Sequence, residues 1–191
     1  MDWETTYANK ILSAEDAVKF VESGDVVMVT RHPPPRSLMN ALASRRGSIK
    51  GVTIRGVSPP FDPGWFQSGW EDSFKLVPET FLGPVARPAL DERRIDYMPS
   101  PFSLLVKPLR ERKNENQGID VIFIVVSPPD RNGFCSFGSD LWGKRQAAFE
   151  ATTVICEVNN NHIRTYGQNF IHISEIDFLV ENTPRDMSNS E

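Results

Sequence analysis

The segment Ile119–Val126, IDVIFIVV, constrains the fold more than any other part of this chain. Apart from Asp120 it is apolar on both faces, so neither face can be turned to water. That is the pattern of a central parallel strand covered by helices on each side. The segments around it alternate in type. Ser13-Ala14-Glu15-Asp16 reads as a capping box, with Ala14, Ala17, Val18 and Val21 at helical spacing and Gly24 just past the end. Further helices are predicted over Arg36–Arg46, Val85–Arg94, Phe102–Arg112 and Asp140–Ala151, with Pro88 in the first turn of its helix. Strands are predicted over Asp25–Thr30, Lys50–Val57, Phe74–Phe81, Ile95–Met98 and Thr152–Val158. Arg110–Gly118 reads as a solvated connector. This alternation predicts an α/β fold with an open, mainly parallel sheet and helices on both faces. Residues 1–181 are predicted as a single domain, and the polar, patternless residues 182–191 as a mobile tail.

Composition excludes several function classes. The chain has 191 residues, with 21 Lys and Arg against 25 Asp and Glu, a formal charge of -4. A general nucleic-acid binder would carry a basic excess. No apolar run approaches the ~20 residues of a membrane span. The N-terminus has neither the basic nor the apolar region of a signal peptide, so a cytoplasmic protein is expected. Cys135 and Cys156 form no CxxC and are too few for a disulfide framework. His32, His162 and His172 are scattered, without metal-ligand spacing, so no metal is expected. No P-loop and no GxGxxG is present.

In an open parallel sheet, ligands bind beyond the carboxyl ends of the strands. Four loops fall there: Arg31–Arg36, Ser58–Trp65, Ser127–Ser139 and Asn159–Gly167. Prolines cluster in or beside the first three, which marks stiff exits from strands.

Four stretches, in order, resemble the acetyl-CoA hydrolase/transferase family, the 4-hydroxybutyrate CoA-transferase type of the class I CoA transferases. They are Ser13–Asp25 (SAEDAVKFVESGD), Phe81–Ala89 (FLGPVARPA) followed by Asp96-Tyr97-Met98-Pro99, Asp120–Gly138 (DVIFIVVSPPDRNGFCSFG), and Glu157–Glu181 with EVN, RTYG and FIHISEIDFLVE. The resemblance covers nearly the whole chain but only the first half of a typical member, a CoA-transferase-like (NagB-type) half. It implies a substrate that is a coenzyme A thioester and no permanently bound cofactor. The family's catalytic glutamate attacks the acyl-CoA and belongs to the second half; no position here matches it. The resemblance therefore implies a second CoA-transferase-like subunit carrying that glutamate, or a shortened form of a two-half chain. It places most CoA contacts on the second half. The partners implied are that subunit, an acyl-CoA and a carboxylate, with no nucleic acid and no membrane.

One departure from the family concerns the turn after the first strand. The family has a glycine-rich turn there; this chain has Thr30-Arg31-His32-Pro33-Pro34-Pro35. Three prolines remove three backbone donors, so the loop is expected to work through Arg31, His32 or Arg36 side chains more than through a backbone nest. Ser127, Asp130, Asn132 and Gly133 form the second candidate group. Asp130 and Asn132 suit either a stiff turn or ligand contact. Glu157, Asn159 and Arg164 form the third. Arginine suits bidentate carboxylate recognition, while a Glu–Arg pair holding the loop is the structural alternative. Cys135 has no paired base in its loop, which argues against a nucleophile. Trp65 and Trp70, in PGWFQSGW, fit a partner interface or an acyl pocket wall, or else a local cluster under the loop; the interface is the expectation. With Phe61, Phe66, Phe134 and Phe137 they are expected on the strand-end face.

The reading of function is a subunit of a heteromeric CoA transferase or acyl-CoA hydrolase. Two alternatives stand beside it. One is a diverged enzyme performing decarboxylation, ring opening or hydrolysis of a CoA-linked acid. The other is a non-catalytic structural subunit.

Overall fold

The computed structural model describes residues 3–56, 62–101, 104, 107, 111 and 118–183. Its frame is a six-stranded parallel sheet of β1 (Val26–Val29), β2 (Val52–Gly56), β3 (Phe74–Pro78), β4 (Ile119–Val126), β6 (Ala151–Val158) and β8 (Phe178–Glu181), in the order β3-β2-β1-β4-β6-β8. As the continuous apolar run requires, β4 lies inside the sheet, paired with β1 on one side and β6 on the other. From Val121 its residues alternate between two cores. Val121 and Phe123 face one; Ile122, Ile124 and Val126 face the other. This is the period-2 geometry of a strand covered on both sides.

Helices α2 (Ala14–Ala17), α3 (Arg36–Ala43) and α4 (Arg87–Asp91) bring Ala17, Leu38, Met39, Leu42 and Ala89 to the first core. Helix α1 (Trp3–Lys10) and helix α5 (Lys144–Glu150) bring Tyr7, Ala147 and Ala148 to the second. A small antiparallel pair, β5 (Phe134–Ser136) with β7 (Phe170–His172), closes that second face.

Several sequence expectations change. The helix expected from Asp140 begins at Lys144, because Trp142 and Gly143 have φ of 27° and 75°, outside the right-handed helical region. The strand expected over Ile95–Met98 is reduced to a bridge between Met98 and Glu79. At the N-cap, Ser13 Oγ accepts from Asp16 N–H at 3.0 Å, but the Asp16 carboxylate takes the Ser13 hydroxyl, not the cap's backbone N–H. Helix α1, β5, β7 and β8 lie where the sequence predicted no regular element. Trp65, Phe66 and Phe137 are buried in the cores, not at an interface. Trp65 and Trp70 pack 6.0 and 6.1 Å from Phe74, the first residue of β3. They therefore sit at the end of the sheet opposite the strand carboxyl ends. Phe61, Ser58, most of the helix expected at 102–112, most of the 110–118 connector and the tail from 184 lie outside the described residues.

Candidate functional site

The chain builds β1, β2 and β3 in one direction, then crosses back to place β4 on the other side of β1. The strand order therefore reverses between β1 and β4, and the ends of these two strands mark the usual ligand position in such sheets. Ten candidate residues were expected at the strand ends, and they fall into three groups.

Ser127, Asp130, Asn132, Gly133 and Arg164 build a rigid loop. Asp130 Oδ1 accepts from the Asn132 and Phe134 N–H groups at 2.9 and 3.0 Å, an Asx-type turn. Gly133 has φ of 79°, and a Cβ there would stand 2.8 Å from His172 Nε2. Arg164, in the loop after β6, closes it. Its guanidinium donates to Ser127 Oγ at 2.8 Å, Pro128 O at 2.9 Å, Phe134 O at 3.2 Å and Asp130 Oδ2 at 3.1 Å. Fully buried Ser127 also accepts from Ser136 N–H at 2.9 Å. Beside them, burial pushes the Cys135 thiol up to about 12, so it stays protonated and poorly nucleophilic.

Glu157 and Asn159 join β6 to its neighbours. Buried Glu157 aims Oε2 at the start of α3, accepting from Ser37 N–H at 3.0 Å, Ser37 Oγ–H at 2.6 Å and Leu38 N–H at 3.3 Å. Its other oxygen accepts from Asn182 Nδ2 at 2.7 Å. The carboxylate thus satisfies helix amides that would otherwise be unpaired. Asn159 Oδ1 accepts from Asn161 N–H at 2.8 Å and turns the chain away from the sheet.

Arg31 and His32 belong to a third group, with three residues that the sequence did not single out: Asp140, Lys144 and His162. Arg36 opens α3 next to them and is exposed. Lys144 is only 3% exposed, and its ammonium donates to His32 O at 2.6 Å, bridging α5 to the β1 loop. Burial lowers its pKa to about 8, against the attraction of Asp140. Burial likewise raises the Asp140 carboxyl and lowers His32 and His162. Arg31 Nε, Asp140 Oδ1 and His162 Nε2 are buried without hydrogen-bond partners. Gly138 makes room for His162: at φ of 81°, any Cβ would lie 2.3 Å from His162 Nε2. Of these three, only His162 lies in one of the strand-end loops named from the sequence; Asp140 and Lys144 fall in the helix predicted over Asp140–Ala151.

Around this cluster is an apolar rim. Trp142 packs edge-on to His32 at 5.6 Å and lies 6.5 Å from Phe81, and both Trp142 and Phe81 are 44% exposed. Ile163 and Tyr166, after β6, are also exposed. Among the described residues, no group of three or more His, Cys, Asp or Glu could hold a metal, and no helix is long and apolar enough to cross a membrane.

The sequence profile of the acetyl-CoA hydrolase/transferase N-terminal domain matches residues 1–186. The chain is 35% identical over 182 residues to a 4-hydroxybutyrate coenzyme A transferase of Clostridium kluyveri, covering 95% of this chain and 42% of that protein. It is 32% identical to a butyryl-CoA:acetate CoA-transferase of Anaerostipes caccae, covering 95% and 41%. The crystal structure of RipA from Yersinia pestis superposes with a TM-score of 0.82 at 27% identity, over 96% of this chain and 45% of that one. The chain therefore spans about two fifths of the length of these curated relatives. By profile, identity and fold, this chain belongs to the acetyl-CoA hydrolase/transferase family, as its N-terminal domain.

Proposed function

We propose that this chain supplies the N-terminal half of a CoA-transfer cleft. It acts as one subunit of a heteromeric CoA transferase or acyl-CoA hydrolase, and a partner chain brings the second half with its glutamate. The substrates are an acyl-CoA thioester and a carboxylic acid, and CoA enters as substrate rather than as a resident cofactor. The observation that carries this reading is the union of a buried cationic cluster with an exposed apolar rim on one strand-end face. Trp142, Phe81, Ile163 and Tyr166 are the kind of surface that a second α/β half would cover.

In this reading each group has its own task. Arg31 and His32, with Arg36 at the rim, face the acid substrate through side chains, since the three prolines leave few backbone donors. The clamp of Arg164 on Ser127, Asp130 and Asn132 holds the floor of the cleft rigid, with Gly133 allowing its turn. Glu157 and Asn159 fix the β1 loop and α3 relative to β6. Such rigidity is what lets a cleft stabilise developing charge without reorganising. Co-expression with the product of the adjacent reading frame, followed by thioester assays with and without an acceptor acid, tests the proposal. A complex that transfers CoA to the acid supports a transferase, and release of free CoA alone supports a hydrolase. A stable monomer that neither assembles nor turns over acyl-CoA in that mixture overturns it.

A further inference from the structure

We infer that the cavity between α1 and the turn after β7 binds a small aromatic carboxylate, whose charge meets the Lys10 ammonium and whose flat body meets the Trp3 and His172 rings. None of the ten strand-end candidates lines this cavity, and the inference does not rest on the CoA-transfer reading.

One helix face builds the site. Trp3, Thr6, Tyr7 and Lys10 are the half-buried positions of α1, at the i, i+3, i+4, i+7 spacing of a single stripe. The Tyr7 hydroxyl is engaged elsewhere, donating to Glu181 Oε1 at 2.9 Å. Trp3, Thr6 and Lys10 line a cavity of about 330 Å3 together with His172, Ile173 and Ser174. That is the size of a small-ligand pocket. Its walls are tied to a stiff loop. Trp3 Nε1–H donates to Arg131 O at 3.1 Å, and Ile173 N–H donates to Gly133 O at 3.0 Å. The cavity is therefore held in shape by hydrogen bonds on the side away from its lining.

Lys10 supplies the charge. Its ammonium has three N–H groups, of which two go to carbonyl oxygens, Ile173 O at 2.9 Å and Ile176 O. Among the described residues it makes no ion pair with a carboxylate. Carbonyl dipoles offset only part of the cost of drawing an ammonium out of water, so Lys10 retains an attraction for an anion. The rings supply the body. His172 Nδ1 accepts from Ser174 N–H at 3.2 Å, which leaves Nε2 as the donor to Asn132 O at 3.1 Å. Both imidazole nitrogens are thus engaged, as is the Trp3 indole N–H. These side chains offer a ligand aromatic surface rather than further polar partners.

One cation beside two rings and Ile173 favours a single negative charge carried on a flat, apolar body. Inorganic phosphate has no apolar face and would leave the rings in contact with water. A neutral aromatic would leave the third N–H of Lys10 without an acceptor.

Benzoate is the probe. The full chain, labelled with 15N, is titrated with benzoate, and the indole N–H signals are followed by NMR, with that of Trp3 identified by its loss in Trp3→Phe. A saturable shift of the Trp3 signal is expected, with benzyl alcohol and inorganic phosphate each binding about tenfold more weakly or worse. Lys10→Met is expected to weaken benzoate binding by about tenfold, the loss of a charged hydrogen bond. Lys10 also holds two carbonyls, so Thr6→Phe is the second variant: it fills the cavity, keeps the charge and is expected to abolish binding. The inference is overturned if the Trp3 signal does not move, or if benzyl alcohol or phosphate binds as well as benzoate. It is equally overturned if benzoate binding is unchanged in folded Lys10→Met or in folded Thr6→Phe. A benzoate shift confined to the Trp142 signal would place the acid on the strand-end face and also overturn it.

Discussion

A carboxylate at the buried end of a strand is unstable unless its lone pairs are met. Glu157 is met by two helix amides, a hydroxyl and an amide side chain, so it acts as the link between β6 and α3. Glu157→Gln keeps the shape but loses the charge and turns an NH2 toward other donors. It is expected to cost about 2 kcal/mol of stability, read as a lower denaturation midpoint. Gly138 is constrained differently, by backbone and by space. Gly138→Ala meets both an unfavourable φ and the His162 ring. It is expected to destabilise by about 1–3 kcal/mol, whereas Gly167→Ala, strained in φ but with open space, costs less by the same assay. Asp130 carries a pH signature. Desolvation works against its ionisation, but the Phe134 and Asn132 amides and Arg164 outweigh it and hold the carboxyl below its ordinary value. A carboxyl depressed in the folded state adds stability above its unfolded pKa and loses it as pH falls through the folded one. Asp130→Asn should therefore lower Tm at pH 7, and the gap should close in acid below about pH 4.

At the scale of elements, legibility followed length. The ends of β4 were read correctly because an unbroken apolar run has only one place in a parallel sheet. β5 and β7 are three residues each and are held by pairing with one another, so no local period announces them. The start of α5 was misplaced because Trp142 takes a left-handed φ that nothing in its side chain advertises. The proline loop made Arg31 and His32 legible as candidates. Lys144 and His162 were not, because their neighbours are more than 100 and 20 residues away in sequence and meet them only in the fold. The aromatic cluster was misjudged because composition cannot tell which end of a sheet a loop packs against. Trp65 fills the first core beside Phe74. Trp65→Ala is expected to cost about 3–5 kcal/mol of folding stability and to leave any residual complex with unaltered affinity. Weakened assembly with normal Tm would place that ring at an interface after all.

For the whole molecule, the strand-end face is the feature to explain. It joins a rigid loop clamped by Arg164, a buried cluster in which Arg31 Nε, Asp140 Oδ1 and His162 Nε2 lack hydrogen-bond partners, and exposed Phe81, Trp142, Ile163 and Tyr166. If a second α/β half covers this face, Trp142→Ala should weaken association by about 2 kcal/mol, read by sedimentation, with little change in Tm. If that half also brings the attacking carboxylate, catalysis should appear only on assembly. The most direct measurement is CoA transfer from an acyl-CoA to an acceptor acid, assayed with the purified chain alone and then with the co-expressed product of the adjacent reading frame. The account predicts no transfer from the chain alone and transfer from the complex, lost when the partner's glutamate is replaced by glutamine. Robust transfer by the isolated chain would contradict it.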